Sequence, residues 1–230
     1  IIVAPPGPES KRLLNEQNEI ESSGISYPRG IPLAIERAKG ATIQDVDGNI
    51  YLDFFGGAGV LNVGQLNPIV MEAVNEQLKK LVHALDFPTE TRIALGKKLR
   101  EIAPGELKSG KVFFTAPTGS DAVEAALKLA MHNTGRRTIL AFEGSYHGMT
   151  RGALSVSSGR KFREDYLPLL PQTHFAPYPY CYRCPFGKEY PNCNLECLRY
   201  VEHLFADPHS GVSIPAAIIV EPVQGEGGSI

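Results

Sequence analysis

Apolar residues recur along the chain in two periods. Val70, Val74, Leu78, Leu81 and Leu85 fall on one stripe of a helix that Pro68 opens at its first-turn position. A second helical pattern covers residues 91–102 and stops before Pro104-Gly105. Residues 121–133, rich in Ala and Leu, and residues 195–206 read as helices too. Near the start, Ser10 is placed to cap a helix reaching about Ser22. Short apolar runs read as strands instead. They are 111–115, 138–142, 152–156 and 216–220, the last of these fully buried. Residues 41–55 read as a hairpin, with Asp47-Gly48 as its turn and Ile50, Leu52 and Phe54 alternating after it. Two prolines predict extended backbone over 27–32.

Strands that alternate with helices imply βαβ units and a mostly parallel sheet. Residues 1–66 read as a smaller unit, a helix and a hairpin. Residues 67–230 read as the α/β part, interrupted by a Cys-rich insertion at about 178–197.

Composition narrows the function classes. The 230 residues carry 23 Lys+Arg against 25 Asp+Glu, a net charge of -2, which removes the footprint of a dedicated DNA or RNA binder. With 43% hydrophobic and 21% charged residues, the chain is not of disordered composition. It has no run of about 18 apolar residues, the length a membrane span requires. The start, Ile1-Ile2-Val3-Ala4-Pro5-Pro6-Gly7-Pro8, has neither an initiator Met nor the apolar stretch of a signal peptide. Gly225-Glu226-Gly227-Gly228-Ser229-Ile230 closes without a terminal helix or tail, so the expectation is a piece of a longer polypeptide.

Two familiar patterns fail on spacing. Asp45-Val46-Asp47-Gly48-Asn49 opens like a calcium loop, but glycine falls at the fourth position and the twelfth is Gly56 rather than Glu. Gly56-Gly57-Ala58-Gly59-Val60 hints at a dinucleotide loop, but counting from Gly57 the sixth position is Asn62. Neither a Gly-x-Ser-x-Gly elbow nor a P-loop is present.

Three other segments follow expected strand ends. Thr118-Gly119-Ser120-Asp121-Ala122-Val123-Glu124 would set free amides at a helix N-terminus, where an anion such as phosphate is favoured. The same residues also read as an ordinary capping box, with Ser120 as N-cap and Glu124 nearby. Gly144-Ser145-Tyr146-His147-Gly148-Met149-Thr150 offers an aromatic face beside an imidazole, or a plain surface loop. Glu221-Pro222-Val223-Gln224-Gly225-Glu226-Gly227-Gly228 puts two carboxylates and an amide after an apolar strand, or simply a charged loop over the sheet. Ligands in open α/β sheets sit at strand C-termini, so the convergence of the three outweighs each one.

All cysteines lie in the insertion, as Cys181, Cys184, Cys193 and Cys197, in the spacing C-x2-C-x8-C-x3-C. Metal or cluster ligation, disulfides and free thiols are all open to them.

In order and together, residues 118–128, 142–150 and 221–228 resemble the N-terminal half of a class III aminotransferase. The likeness extends from Pro5-Pro6-Gly7-Pro8 through Asp45-Val46-Asp47-Gly48-Asn49-Ile50-Tyr51-Leu52-Asp53-Phe54 to the end. The resemblance implies a transferase of fold type I that depends on pyridoxal 5'-phosphate (PLP). Its architecture would be α/β, a mostly parallel sheet with flanking helices, plus an N-terminal segment of a second, small domain. It implies that Gly119 and Ser120 hold the cofactor phosphate and that Tyr146 stacks on the pyridine ring. It further implies that His147 lines the pocket and that Glu221 lies near the ring's polar edge. Glu226 matches the family glutamate that pairs with an arginine gate or faces the substrate, and Ala58 falls at a substrate-facing position that varies. The partners implied are an amino donor and a 2-oxo acid, in a cytoplasmic homodimer that binds neither nucleic acid nor membrane.

Departures sharpen the reading. Gly64-Gln65-Leu66-Asn67-Pro68 stands where the family has Gly-His before its helix-opening pair. Met149 stands where many 4-aminobutyrate enzymes have an arginine, and Met cannot take a carboxylate bidentately. Residues 117–126 and the insertion at 180–187 are closer to diaminobutyrate aminotransferases. None of the lysines lies in the family's Schiff-base context, and that lysine and the pyridine-pairing Asp are expected beyond Ile230. The expected reaction is transfer of a terminal amino group from an ω-amino acid or diamino acid to a 2-oxo acid such as 2-oxoglutarate. The alternatives are an amino-acid racemase or epimerase on the same scaffold, and a non-catalytic half-chain whose cysteines hold a metal.

Overall fold

The computed structural model describes residues 1–24, 26–170 and 172–230. The chain divides into two compact units, Ile1–Lys97 and Lys98–Ile230.

In the first unit, β1 (Ile35–Lys39), β2 (Thr42–Asp45) and β3 (Ile50–Leu52) form an antiparallel sheet in that order. The expected hairpin is β2–β3, with Gly48 at φ 87 in its turn. Strand β1 has no counterpart in the sequence reading. The turn also organises the segment before it. Asp45 is fully buried and accepts hydrogen bonds from the Asp47 and Asn49 amides, the Asn49 side chain and the Tyr51 hydroxyl. Asn49 Oδ1 accepts the amides of Ile2 and Val3 at 2.6 and 3.0 Å.

Helix α1 (Pro8–Ile20) begins at Gly7, not at Ser10. Its first-turn amides on Glu9 and Ser10 donate to the two Asp47 carboxylate oxygens, each at 2.8 Å. The cap therefore comes from 37 and 38 residues away, and Ser10 is buried inside the helix. Gly7 admits that carboxylate, because a Cβ there would collide with it. The extended stretch expected over 27–32 is instead a helical turn, α2 (Tyr27–Gly30), followed by a tight turn in which Leu33 N donates to Ile31 O at 2.8 Å. Pro28 sits in the first turn, where its missing N–H costs nothing. A four-residue turn, α3 (Gly56–Gly59), has left-handed backbone at Gly57 and Ala58. Helix α4 (Pro68–Leu78) starts as expected, with Asn67 Oδ1 accepting from Ile69 and Val70. Helix α5 (Glu90–Ile102) spans the division between the units.

The second unit is built around β4 (Ile139–Phe142). Strand β5 (Thr173–Ala176) and β6 (Ala217–Ile218) flank it, both parallel to it. Alternation along β4 explains its unbroken apolar run. Ile139 and Ala141 pack with Leu127 of α6 (Gly119–Thr134) and Val156. Leu140 and Phe142 pack with Val201 and Leu204 of α9 (Glu196–Ala206). Both faces are covered, so every position is apolar. Full burial of a side chain such as Leu140 contributes about 1.5–3 kcal/mol.

Three expected strands differ. Residues 152–155 lie in a helical turn, α7 (Arg151–Ser155), with Val156 as its C-cap, because Glu124 of α6 caps its start. Its Oε1 accepts from Gly152 N at 2.7 Å, Ala153 N at 3.2 Å and the Thr150 hydroxyl at 2.7 Å. Residues 111–115 form no ladder among the described residues, and Phe113 is 77% exposed. A strand exists only through its neighbour's hydrogen bonds. The run at 216–220 is ordered as a strand only in β6, at the edge of its sheet, with Ile218 and Val220 half-exposed. It is therefore not fully buried. A short helix, α8 (Arg160–Arg163), follows α7. Among the described residues, no helix is long and apolar enough to cross a membrane.

Candidate functional site

Strands β4 and β6 run parallel as neighbours, so the loops that leave their C-terminal ends emerge on one edge. Residues 143–150 follow β4, and residues 219–228 follow β6. The N-terminus of α6 lies against the first of these loops. Ser120 Oγ accepts the Met149 amide at 3.3 Å. The two segments meet closely because residue 148 is glycine, at φ 126, and a Cβ there would collide with Ser120.

Capping of α6 differs from the expectation. Thr118 is the N-cap, and its box partner is Asp121. The Thr118 hydroxyl accepts from Asp121 N at 3.3 Å, and Asp121 Oδ2 accepts from Thr118 N at 3.2 Å. Ser120 is thereby released from capping, and Glu124 is engaged with α7. Helix geometry leaves the first-turn amides of Gly119 and Ser120 without intrahelical acceptors.

The loop after β4 is fixed at consecutive residues. Buried Ser145 donates its hydroxyl to Val156 O at 2.9 Å. Tyr146 N donates to Glu221 Oε1 at 2.8 Å, and His147 N donates to the fully buried Ser157 Oγ at 2.8 Å. The other Glu221 oxygen accepts Gly225 N at 3.2 Å, so this carboxylate ties both loops together. The Tyr178 hydroxyl, just past β5, donates to Glu221 O at 3.0 Å. The Tyr146 ring packs against Phe162 with centroids 5.0 Å apart and planes at 58°.

His147 is half-buried, and its Nε2 is fully enclosed without a partner. Burial holds the imidazole below its ordinary value of 6.5, opposed by the nearby Glu221 carboxylate. At neutral pH it is a neutral ring with one unsatisfied nitrogen.

Thus Ser120, Tyr146, His147 and Glu221 share one connected site. Glu226 is on the surface, paired with Lys161 at 3.5 Å, with both side chains at least half-exposed; the Lys161 ammonium lies 4.5 Å over the Phe162 ring that packs on Tyr146. Ala58, in the first unit, lines an apolar cavity of about 670 Å³ with Tyr27, Leu33, Phe54 and Phe55. Sequence reasoning missed Ser157, Phe162 and Tyr178. The run Ser155-Val156-Ser157-Ser158 carried a signal, since buried hydroxyls beside an apolar run need partners. The insertion's cysteines are free thiols that together line a cavity of about 20 Å³. Among the described residues, no group of three or more His, Cys, Asp or Glu is arranged to hold a metal ion.

A family model described as aminotransferase class-III matches residues 26–230. The chain belongs to this family. A diaminobutyrate–2-oxoglutarate aminotransferase of Rhizobium meliloti (strain 1021) is 41% identical to the class-III chain over 220 residues, covering 94% of it and 47% of the relative. An alanine/serine racemase of Pyrococcus horikoshii is 37% identical over 240 residues, covering 100% and 49%. Among solved structures, a PLP-bound amine transaminase from an uncultivated Pseudomonas species matches at 30% identity and a TM-score of 0.78. That match covers 92% of the class-III chain and 49% of the other. A Bacillus anthracis aminotransferase matches at 26% identity and a TM-score of 0.82, covering 96% and 50%. The fold is therefore that of fold type I transaminases, and the class-III chain spans about half the length of the curated relatives it matches.

Proposed function

We propose that this chain supplies the phosphate- and ring-binding half of a PLP-dependent aminotransferase. The enzyme would move a terminal amino group from an ω-amino acid or diamino acid, of the 2,4-diaminobutyrate or 4-aminobutyrate type, to a 2-oxo acid such as 2-oxoglutarate. The observation that carries this reading is the connected edge of Ser120, Tyr146, His147 and Glu221, with a buried imidazole nitrogen left unpartnered.

The residues fit the cofactor. The first-turn amides of Gly119 and Ser120 suit a phosphate, as does the Ser120 hydroxyl, which packs directly against Gly148. Tyr146 offers its ring as a stacking face, and His147 stands beside it as part of the pocket wall. Glu221 acts beside the ring's polar edge through the two amides it accepts. When bound, PLP supplies the electron sink of the reaction. Glu226 and Ala58 belong to the substrate side of this reading. The division into a small-domain segment at 1–66 and a large domain from 67, with its insertion at about 178–197, belongs to it as well. So does a cytoplasmic homodimer that binds no nucleic acid.

The test is amino transfer by the full-length protein given PLP, 2,4-diaminobutyrate and 2-oxoglutarate. Glutamate should accumulate, and borohydride reduction should fix one cofactor to the protein by intact mass. No transfer from any ω-amine overturns the reading. The racemase likeness, at 37% identity over the whole chain, favours a second reading on the same scaffold. Chiral analysis of alanine and serine, with and without a 2-oxo acid, separates the two.

A further inference from the structure

Gln224 is fully buried, yet its side chain is only half satisfied. Its Nε2 donates to Glu143 O at 2.8 Å, across 81 residues of sequence, and its Oε1 is enclosed without a partner. Room for this amide is built into two glycines. A Cβ on Gly144 or on Gly227 would collide with Oε1. The main chain of Gln224 is fixed in turn by a reciprocal pair with Ile230, N to O at 3.0 Å and O to N at 3.2 Å. Glu143 is held at its other end as well, its amide donating to Ala176 O of β5 at 2.9 Å.

For stability alone this is a poor choice of residue. An apolar side chain of the same shape would leave no orphaned oxygen. What the amide achieves is registry. Glu143 is the residue at which the chain leaves β4, and Tyr146 and His147 follow within four residues. Together with Glu221, which accepts the Tyr146 amide, Gln224 makes a second tether from the loop after β6 to the loop after β4.

We propose that Gln224 is a positioning residue, whose amide sets the exit of β4 so that Tyr146 and His147 face the cofactor site. The proposal rests on the PLP reading above. It touches neither the cofactor nor a substrate and acts through the main chain of Glu143.

The experiment compares Gln224→Met and Gln224→Glu with the parent in the full-length protein. Three quantities are read: the PLP dissociation constant, the imidazole titration of His147 by NMR without cofactor, and the urea midpoint. Gln224→Met keeps the shape and removes the donor. It should weaken PLP binding about tenfold and move the His147 midpoint. Gln224→Glu donates to Glu143 O only when protonated, so its binding defect relative to the parent should shrink as pH falls. This second variant gives the same reading if the first does not fold. PLP binding within twofold of the parent, with an unmoved His147 titration, overturns the proposal even if the urea midpoint drops. A parent protein that binds no PLP overturns the functional reading instead, while the titration still decides the role of Gln224.

Discussion

Glu221 accepts the Tyr146 amide at 2.8 Å, between residues 75 apart in sequence. The bond makes the loop after β6 a support for the loop after β4. Because Gly225 N holds the second oxygen, the carboxylate is fixed in orientation and cannot swing away. Glu221→Ala should therefore loosen Tyr146 and leave two amides unpaired. PLP affinity should fall about tenfold, with Glu221→Gln intermediate because its single oxygen retains one acceptor. Fluorescence titration of PLP checks both.

His147 supplies a pH dependence with a fixed sign. Burial lowers its midpoint below 6.5, so the unfolded chain takes up the proton first. The contribution is complete above 6.5 and is lost as pH falls from there toward the folded value. NMR should place the midpoint below 6.5. Glu221→Gln should lower it further, since the Glu221 charge raises it. In His147→Gln, the urea midpoint should lose this part of its decline on acidification.

Asp45 and Asp47 form a latch on the N-terminal segment. Burial raises both carboxyls. Hydrogen bonds from Asn49 and Tyr51 to Asp45, and from Ser10 and Glu9 to Asp47, outweigh it and hold both below 3.8. Their stabilisation is complete above 3.8 and is lost as pH falls through the depressed folded values. Amide hydrogen exchange at Ile2, Val3, Glu9 and Ser10 should stay slow down to about that pH and accelerate below it. In Asp47→Ala, exchange at Glu9 and Ser10 should be fast already at neutral pH.

Glu124 decides whether 152–155 is helical. Glu124→Ala removes the acceptor shared by Gly152 N, Ala153 N and the Thr150 hydroxyl. The loss should be about 1–3 kcal/mol in urea unfolding. Because Ser157 follows α7 and holds the His147 amide, the His147 NMR signals should shift as well. Thr118→Ala removes only a helix cap. It should cost about 1 kcal/mol and leave the His147 signals in place.

What the sequence alone determined was the local and the periodic. Pro68 opened α4, Asp47-Gly48 turned the hairpin, and the apolar run 138–142 marked the central strand, because each rests on neighbouring residues. The order of the three segments at 118–128, 142–150 and 221–228 was legible too, and with it the family. Tertiary structure decided the elements whose hydrogen bonds close over long range. Asp47 moved the start of α1 from Ser10 to Gly7, and Glu124 turned an apolar run from strand into helix. Ser120 became available to Met149 only because Thr118 and Asp121 capped α6. Glu221, Ser157 and Gln224 are separated from Tyr146, His147 and Glu143 by 75, 10 and 81 residues. No local pattern encodes those pairs. They exist because parallel strands bring distant loops to one edge, where each buried amide must find a partner.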